Sequence, residues 1–196
     1  MNIDAHPPDH DAGRPEPRRV SLRDGRPCLL RSSTLDDAAE LCGFLPRTHD
    51  ETDMVNYLPG EFRKTVEQEA QWIREHYAKP NAIHLVAVVD GRIVASGGAA
   101  SLELRKYAHQ AGCGLSVLRD YWRLGIGRRI MERLVEWGRK RTLRKLTLRV
   151  FADNEPAIRL YRSLGFVDEG HLRDDARRVD GSLRDTIIMA KFYESP

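Results

Sequence analysis

Along the chain, apolar positions switch repeatedly between a period of about two and a period near 3.6, and the switches predict the order of elements. VSLRDGRPCLLR places Asp24-Gly25 between short apolar runs, which predicts a hairpin entry or first strand. Behind Thr34 and a first turn of acids, Leu35, Ala38, Ala39, Leu41, Cys42 and Leu45 recur at helical spacing. Thr65 and Gln68 have the spacing of a capping box, and Val66, Ala70, Trp72 and Ile73 form the stripe of a second helix. Between the helices, residues 47–64 are polar and show no period, so they are either a plain connection or a functional loop. Residues 82–104 form the clearest hairpin, turning at Asp90-Gly91, and Ala111 to Leu118 follow as a strand. A helix from about Gly125 to Arg141 carries Ile126, Ile130, Leu134 and Trp137 on one face. Leu146 to Phe151 is a strand. The next helix, Asn154 to Gly165, carries Ala157, Leu160, Tyr161 and Leu164. Phe166 to Leu172 and Leu183 to Phe192 close the chain as a hairpin around Asp180-Gly181. Helices, an antiparallel meander and a strand-helix-strand-helix-strand unit predict a mixed α/β (α+β) domain without internal repeats.

Composition narrows the class. A chain of 196 residues that is 41% hydrophobic and 31% charged suits one globular domain, assigned to residues 20–196. Residues 1–19, with Pro7, Pro8, Pro15 and Pro17 and no apolar run, are expected to be a disordered tail and not a secretory signal. No stretch approaches the ~18 apolar residues of a membrane span, so no membrane association and a cytoplasmic location are expected. Cys28, Cys42 and Cys113 make neither a disulfide ladder nor a metal pattern, and no metal is expected. Net charge is +3, yet residues 119–149 hold eleven basic side chains against three acids. With Tyr121, Trp122 and Trp137 nearby, a nucleic-acid surface is conceivable. The basic residues sit at every angle around one helix, however, which favours solvated helix faces, and no nucleic-acid partner is expected.

Two motifs carry chemistry. Trp122-Arg-Leu-Gly125-Ile-Gly127-Arg-Arg lies between a strand and a helix, where paired glycines bring unpaired backbone N–H groups close to an anion at the positive end of a helix dipole. It lacks the third glycine of the dinucleotide fingerprint, so nicotinamide cofactors are disfavoured. The second is Asn154-Glu-Pro-Ala157-Ile-Arg-Leu-Tyr161-Arg-Ser-Leu-Gly165-Phe166. On the apolar stripe alone, Tyr161 reads as a core residue.

Together, in this order and about thirty residues apart, the motifs resemble the GNAT superfamily of acetyl-CoA-dependent N-acetyltransferases, over roughly Ile83 to Phe192. The resemblance implies a central, mostly antiparallel twisted sheet of about seven strands, splayed between strands four and five and flanked by about four helices. It implies acetyl-CoA as cosubstrate, its pantetheine arm lying along Leu115, Ser116 and Val117. Arg123, Leu124, Gly125, Ile126, Gly127 and Arg128 would form the pyrophosphate loop, and Asn154 would contact the arm. Tyr161 would be the general acid for the departing thiolate, in direct transfer to a primary amine of a small molecule, peptide or protein. A catalytically silent acyl-CoA-binding module is the alternative. Two positions depart from the pattern: Trp122, where Gln or Arg is usual, and Arg149, where the branch acetylating ribosomal-protein N-termini tends to place Glu. The general base is therefore open among Glu51, Asp53, Glu103 and His109. The acceptor side would be lined by the first helices, their loop and the last hairpin. Asp50, Glu51, Asp53, Glu61, Asp174 and Asp175 there could attract a cationic amine or stand merely solvated. Homodimerisation is also consistent with the resemblance.

Overall fold

The computed structural model describes residues 14–79, 81–101 and 104–194. Residues 1–13 of the expected tail, and Glu103 among the base candidates, lie outside the described residues. The elements are β1 (Arg18–Ser21), β2 (Pro27–Ser32), α1 (Ala38–Glu51), α2 (Val66–Ala78), β3 (Ala82–Val89), β4 (Arg92–Ser101), β5 (Gln110–Val117), α3 (Ile126–Lys140), β6 (Lys145–Phe151), α4 (Glu155–Ser163), β7 (Val167–Arg177) and β8 (Leu183–Phe192). They build one eight-stranded sheet in the order β1-β2-β3-β4-β5-β6-β8-β7, antiparallel throughout except for the parallel β5–β6 pair. The extra strand is β1. It begins at Arg18, inside the expected tail, because RRVS offers Val20 alone as an apolar residue and takes its order from pairing Arg18↔Leu30 through Ser21↔Pro27.

Helix α1 also exceeds its pattern, continuing through Pro46 to Glu51. Proline removes a backbone donor there. The extra turns bury Thr48 and His49, whose ring meets Tyr57 and Phe62 at centroid distances of 5.1 and 5.2 Å. The Thr65 capping box forms as its spacing requires: Gln68 N–H donates to the Thr65 hydroxyl (3.3 Å) and Thr65 N–H to Gln68 Oε1 (2.9 Å). On the opposite face α3 packs Ile126, Ile130, Leu134 and Trp137 over β3, β4 and β5. Its approach depends on Gly97, where an added Cβ would lie 2.7 Å from Ile130 Cγ2 and 2.9 Å from Leu115 Cβ.

Beneath α2 the core is polar. His84 is held between Ser33 Oγ at Nδ1 (2.8 Å) and Ser96 Oγ at Nε2 (2.7 Å), while Tyr77 donates to the His84 carbonyl (2.8 Å). Complete burial pushes the His84 imidazole down to about 3, and burial lowers His76 and His49 as well. The His84 ring stays neutral in the folded chain, whereas an unfolded histidine takes up a proton below pH ~6.5. Its contribution is fully present above pH ~6.5 and is lost progressively as pH falls from there towards 3, and the lowering of His76 and His49 acts in the same direction. The thermal midpoint should therefore drop between pH 7 and pH 5, with His84 alone contributing up to about 1.4 kcal/mol per pH unit. Thermal unfolding across that range tests this, and a flat profile would refute it.

Candidate active site

Strand β5 leaves β6 after three residue pairs. Its register with β6 covers Gln110↔Lys145, Ala111↔Leu146 and Gly112↔Thr147, whereas its register with β4 continues to Val117. Arg144 N–H donates to the His109 carbonyl on the β6 side (2.7 Å), and Leu118 N–H to the Val94 carbonyl on the β4 side (3.0 Å). Backbone groups alternate between the edges of a strand, so those of Cys113, Leu115 and Val117 turn into the gap and those of Ser116 turn towards β4. Leu115 and Val117 thus supply the open edge expected for a pantetheine arm. The backbone of Ser116 is committed to pairing opposite Ser96.

The wide end of the gap meets the start of α3. Gly125 caps that helix at φ 94°, a left-handed conformation suited to glycine. The first helical bond runs from Arg129 N–H to the Gly125 carbonyl (3.1 Å), leaving the N–H groups of Ile126, Gly127 and Arg128 outside the helical ladder. Three unclaimed amides at the positive end of a helix fit an anion such as a pyrophosphate. The preceding loop is fixed from two sides. Arg23 donates its N–H to the Leu124 carbonyl (3.2 Å) and its guanidinium to the Arg123 carbonyl (3.3 Å). Trp122, the residue that departs from the expected pattern, donates its indole N–H to the Val117 carbonyl (2.7 Å) and so ties the loop to the last carbonyl of the open edge. Arg128 reaches Ser163 Oγ (2.8 Å), joining α3 to α4.

On the α3 face, α4 brings Tyr161 to the gap. The residue is 8% exposed, its ring lies 5.9 Å from that of Phe166, and its hydroxyl has no hydrogen-bond partner among the described residues. Burial raises the phenol well above its ordinary value, and the Cys113 thiol on β5 adds to the shift. Burial likewise pushes Cys113 up to about 12, so that sulfur stays protonated. Asn154 accepts the Ala157 N–H at Oδ1 (3.3 Å), which makes it the N-cap of α4. Among the described residues no cluster of His, Cys, Asp and Glu is arranged to hold a metal ion, and no helix is long and apolar enough to cross a membrane.

A family model described as Acetyltransferase (GNAT) family matches residues 51–166, a span that holds the open edge, the amide cradle and Tyr161. The chain belongs to the GNAT acetyltransferases. It is similar to the [ribosomal protein bS18]-alanine N-acetyltransferase of Escherichia coli K12, 42% identical over 76 residues that cover 39% of this chain and 51% of that protein. The chain thus spans about half the length of that curated relative. It is also similar to the L-amino acid N-acetyltransferase AaaT of the same strain, 29% identical over 124 residues that cover 61% of this chain and 74% of that protein. Among solved structures, a GNAT acetyltransferase from Streptococcus pneumoniae superposes with a TM-score of 0.81 and 29% identity, over 85% of this chain and 99% of that one.

On the α1 side of this GNAT sheet, the base candidates are already engaged or distant. Glu51 accepts the Arg119 N–H (2.7 Å) and pairs with Arg47 (2.8 Å). Asp53 is clamped by Arg184, which bonds both its carboxylate and its carbonyl. His109 stands at the opposite end of β5, before its pairing with β6 begins. Arg184 itself is missing from the sequence reading. It is 5% exposed, lies 4.5 Å over the Phe151 ring and 3.9 Å from Asp153, and holds the loop after α1 against β8. The signal was present, since Arg184 shares the inward phase of β8 with Thr186, a position where an arginine must be paired.

Proposed function

We propose that the chain transfers the acetyl group of acetyl-CoA to a primary amine by direct attack in a ternary complex, with Tyr161 as general acid. The observation that carries this is the open β5 edge, which runs from the amide cradle at α3 towards the Tyr161 phenol, whose hydroxyl has no hydrogen-bond partner among the described residues. Ile126, Gly127 and Arg128 would bind the pyrophosphate through backbone N–H groups, with the Arg123 and Arg128 guanidinium groups adding charge. The Leu115 backbone and the Val117 N–H would pair with the amide groups of the pantetheine arm. The cosubstrate supplies an activated acetyl thioester. The protein aligns that thioester with the amine, and amides along the open edge meet the negative charge that develops on its oxygen. As the N–C bond forms and the C–S bond breaks, the nitrogen releases one proton to solvent and the sulfur takes one from Tyr161 Oη. Solvent then reprotonates the phenolate.

Thiol release from acetyl-CoA, followed with a panel of small amines, amino acids and short peptides, tests the reading. Amine-dependent release is expected, unaltered by RNA or DNA at matched ionic strength. Acetyl-CoA binding without release for any amine would overturn it in favour of a silent binding module.

A further inference from the structure

Two of the carboxylates that could attract a cationic amine are already held within the protein, Glu51 by Arg47 and Arg119 and Asp53 by Arg184. The α1-side face of the gap also exposes a guanidinium. Ser96, on that face beneath α2, pairs with Ser116, and Gly112 pairs with Thr147. By alternation, Thr147, Arg149 and Phe151 share the face, and the Phe151 ring beneath Arg184 and Asp53 confirms the assignment. Arg149 lies two residues beyond Thr147, the last β6 residue paired with β5, or about 7 Å into the open gap. Its side chain is 60% exposed and that of its partner Asp175 is 22% exposed. Of five donors in the planar fork, Nη2 engages Asp175.

We propose that Arg149 binds a carboxylate carried by the acceptor beside its reacting amine, so that the acceptor is a free α-amino acid or a close analogue. The inference rests on the acetyltransferase reading above. An incoming zwitterion matches the pair it meets, with its carboxylate on the Arg149 fork and its ammonium, before proton loss, near Asp175. A peptide N-terminus carries a neutral amide where the free amino acid carries this charge, and forgoes that contact.

The test uses the full chain, saturating acetyl-CoA and thiol release. The acceptors are a set of L-amino acids, their carboxamides and the corresponding decarboxylated amines. The acids should exceed both other classes in kcat/KM by about 10- to 100-fold, chiefly through KM. In Arg149→Gln the acid-to-carboxamide ratio should collapse towards one, and Arg149→Lys should restore part of it. Thermal midpoints of the variants, whose altered side chain is exposed, report whether the fold is intact. Carboxamides or short peptides serving as well as acids, or Arg149→Gln slowing all classes alike, would overturn the proposal while leaving acetyl transfer standing. Absence of release with every class, at intact acetyl-CoA binding, would overturn both.

Discussion

Tyr161→Phe should lower kcat by about 10²- to 10⁴-fold, the range supplied by a positioned proton donor, while acetyl-CoA binds as in the parent chain. The reasoning starts from the environment of the phenol. Tyr161 is buried against Phe166, electrostatically coupled to the Cys113 thiol, and makes no hydrogen bond among the described residues. A hydroxyl that makes no hydrogen bond within the fold adds little to folding, so its removal should leave the thermal midpoint close to that of the parent. Burial raises the phenol, which keeps it protonated at neutral pH and ready to donate. The same apolar surroundings that disfavour a phenolate disfavour the departing thiolate, so proton transfer to sulfur is driven where it is needed. Tyr161 should accordingly leave no alkaline limb in the rate profile below pH ~10. Thiol release at saturating acetyl-CoA and amine, together with calorimetric acetyl-CoA affinity, separates the terms. Unchanged turnover would remove Tyr161 from the role and return it to the core.

Gly97→Ala should cost about 1–3 kcal/mol and weaken acetyl-CoA binding in the same step. The new Cβ would lie 2.7 Å from Ile130 Cγ2, 2.9 Å from Leu115 Cβ and 3.1 Å from the Gly114 carbonyl. Ile130 belongs to the buried face of α3 and Leu115 to the open edge. Relief therefore means lifting the helix that presents the amides, or bending the strand proposed to receive the arm. Either displacement alters the distance between cradle and edge, and a shift near 1 Å is enough to cost orders of magnitude in rate. For a chain of this size the midpoint should fall by about 2–4 °C per kcal/mol. Gly43→Ala on α1 is the control. Its Cβ meets nothing within 4 Å, so a helical alanine there should be neutral or stabilising. Equal behaviour of the two variants would show that the approach of α3 to the sheet is not tight at Gly97.

Much of this arrangement was legible in the residues. Thr65 with Gln68, Asp90-Gly91 and Gly165 punctuate elements through local backbone chemistry, and local chemistry can be read from a single segment. The amides after Gly125 followed from glycine spacing at a strand-helix junction, whereas the edge at Leu115 and Val117 came only with the resemblance to the GNAT superfamily. The α1-side face was not legible, because its charges are paired between segments far apart in the chain. Asp53 and Arg184 stand 131 residues apart, and Asp175 meets Arg149 across β8. Read singly, Asp53 is a base candidate and Arg184 draws no assignment. Only the folded register reveals that each neutralises the other. Trp122 shows the opposite case. A departure from the family pattern has its own structural task, with an indole N–H holding the loop to Val117.

The three-residue seam between β5 and β6 makes the sheet two plates, β1–β5 and β6–β8, joined at one corner. Backbone pairing normally zips until the strands run out, and here it is stopped short, forfeiting hydrogen bonds along Cys113 to Val117. In the proposed function, that forfeited ladder is what a thioester arm completes. A sequence in which β6 followed β5 to its end would have a more complete sheet and would close the edge proposed for an acetyl donor.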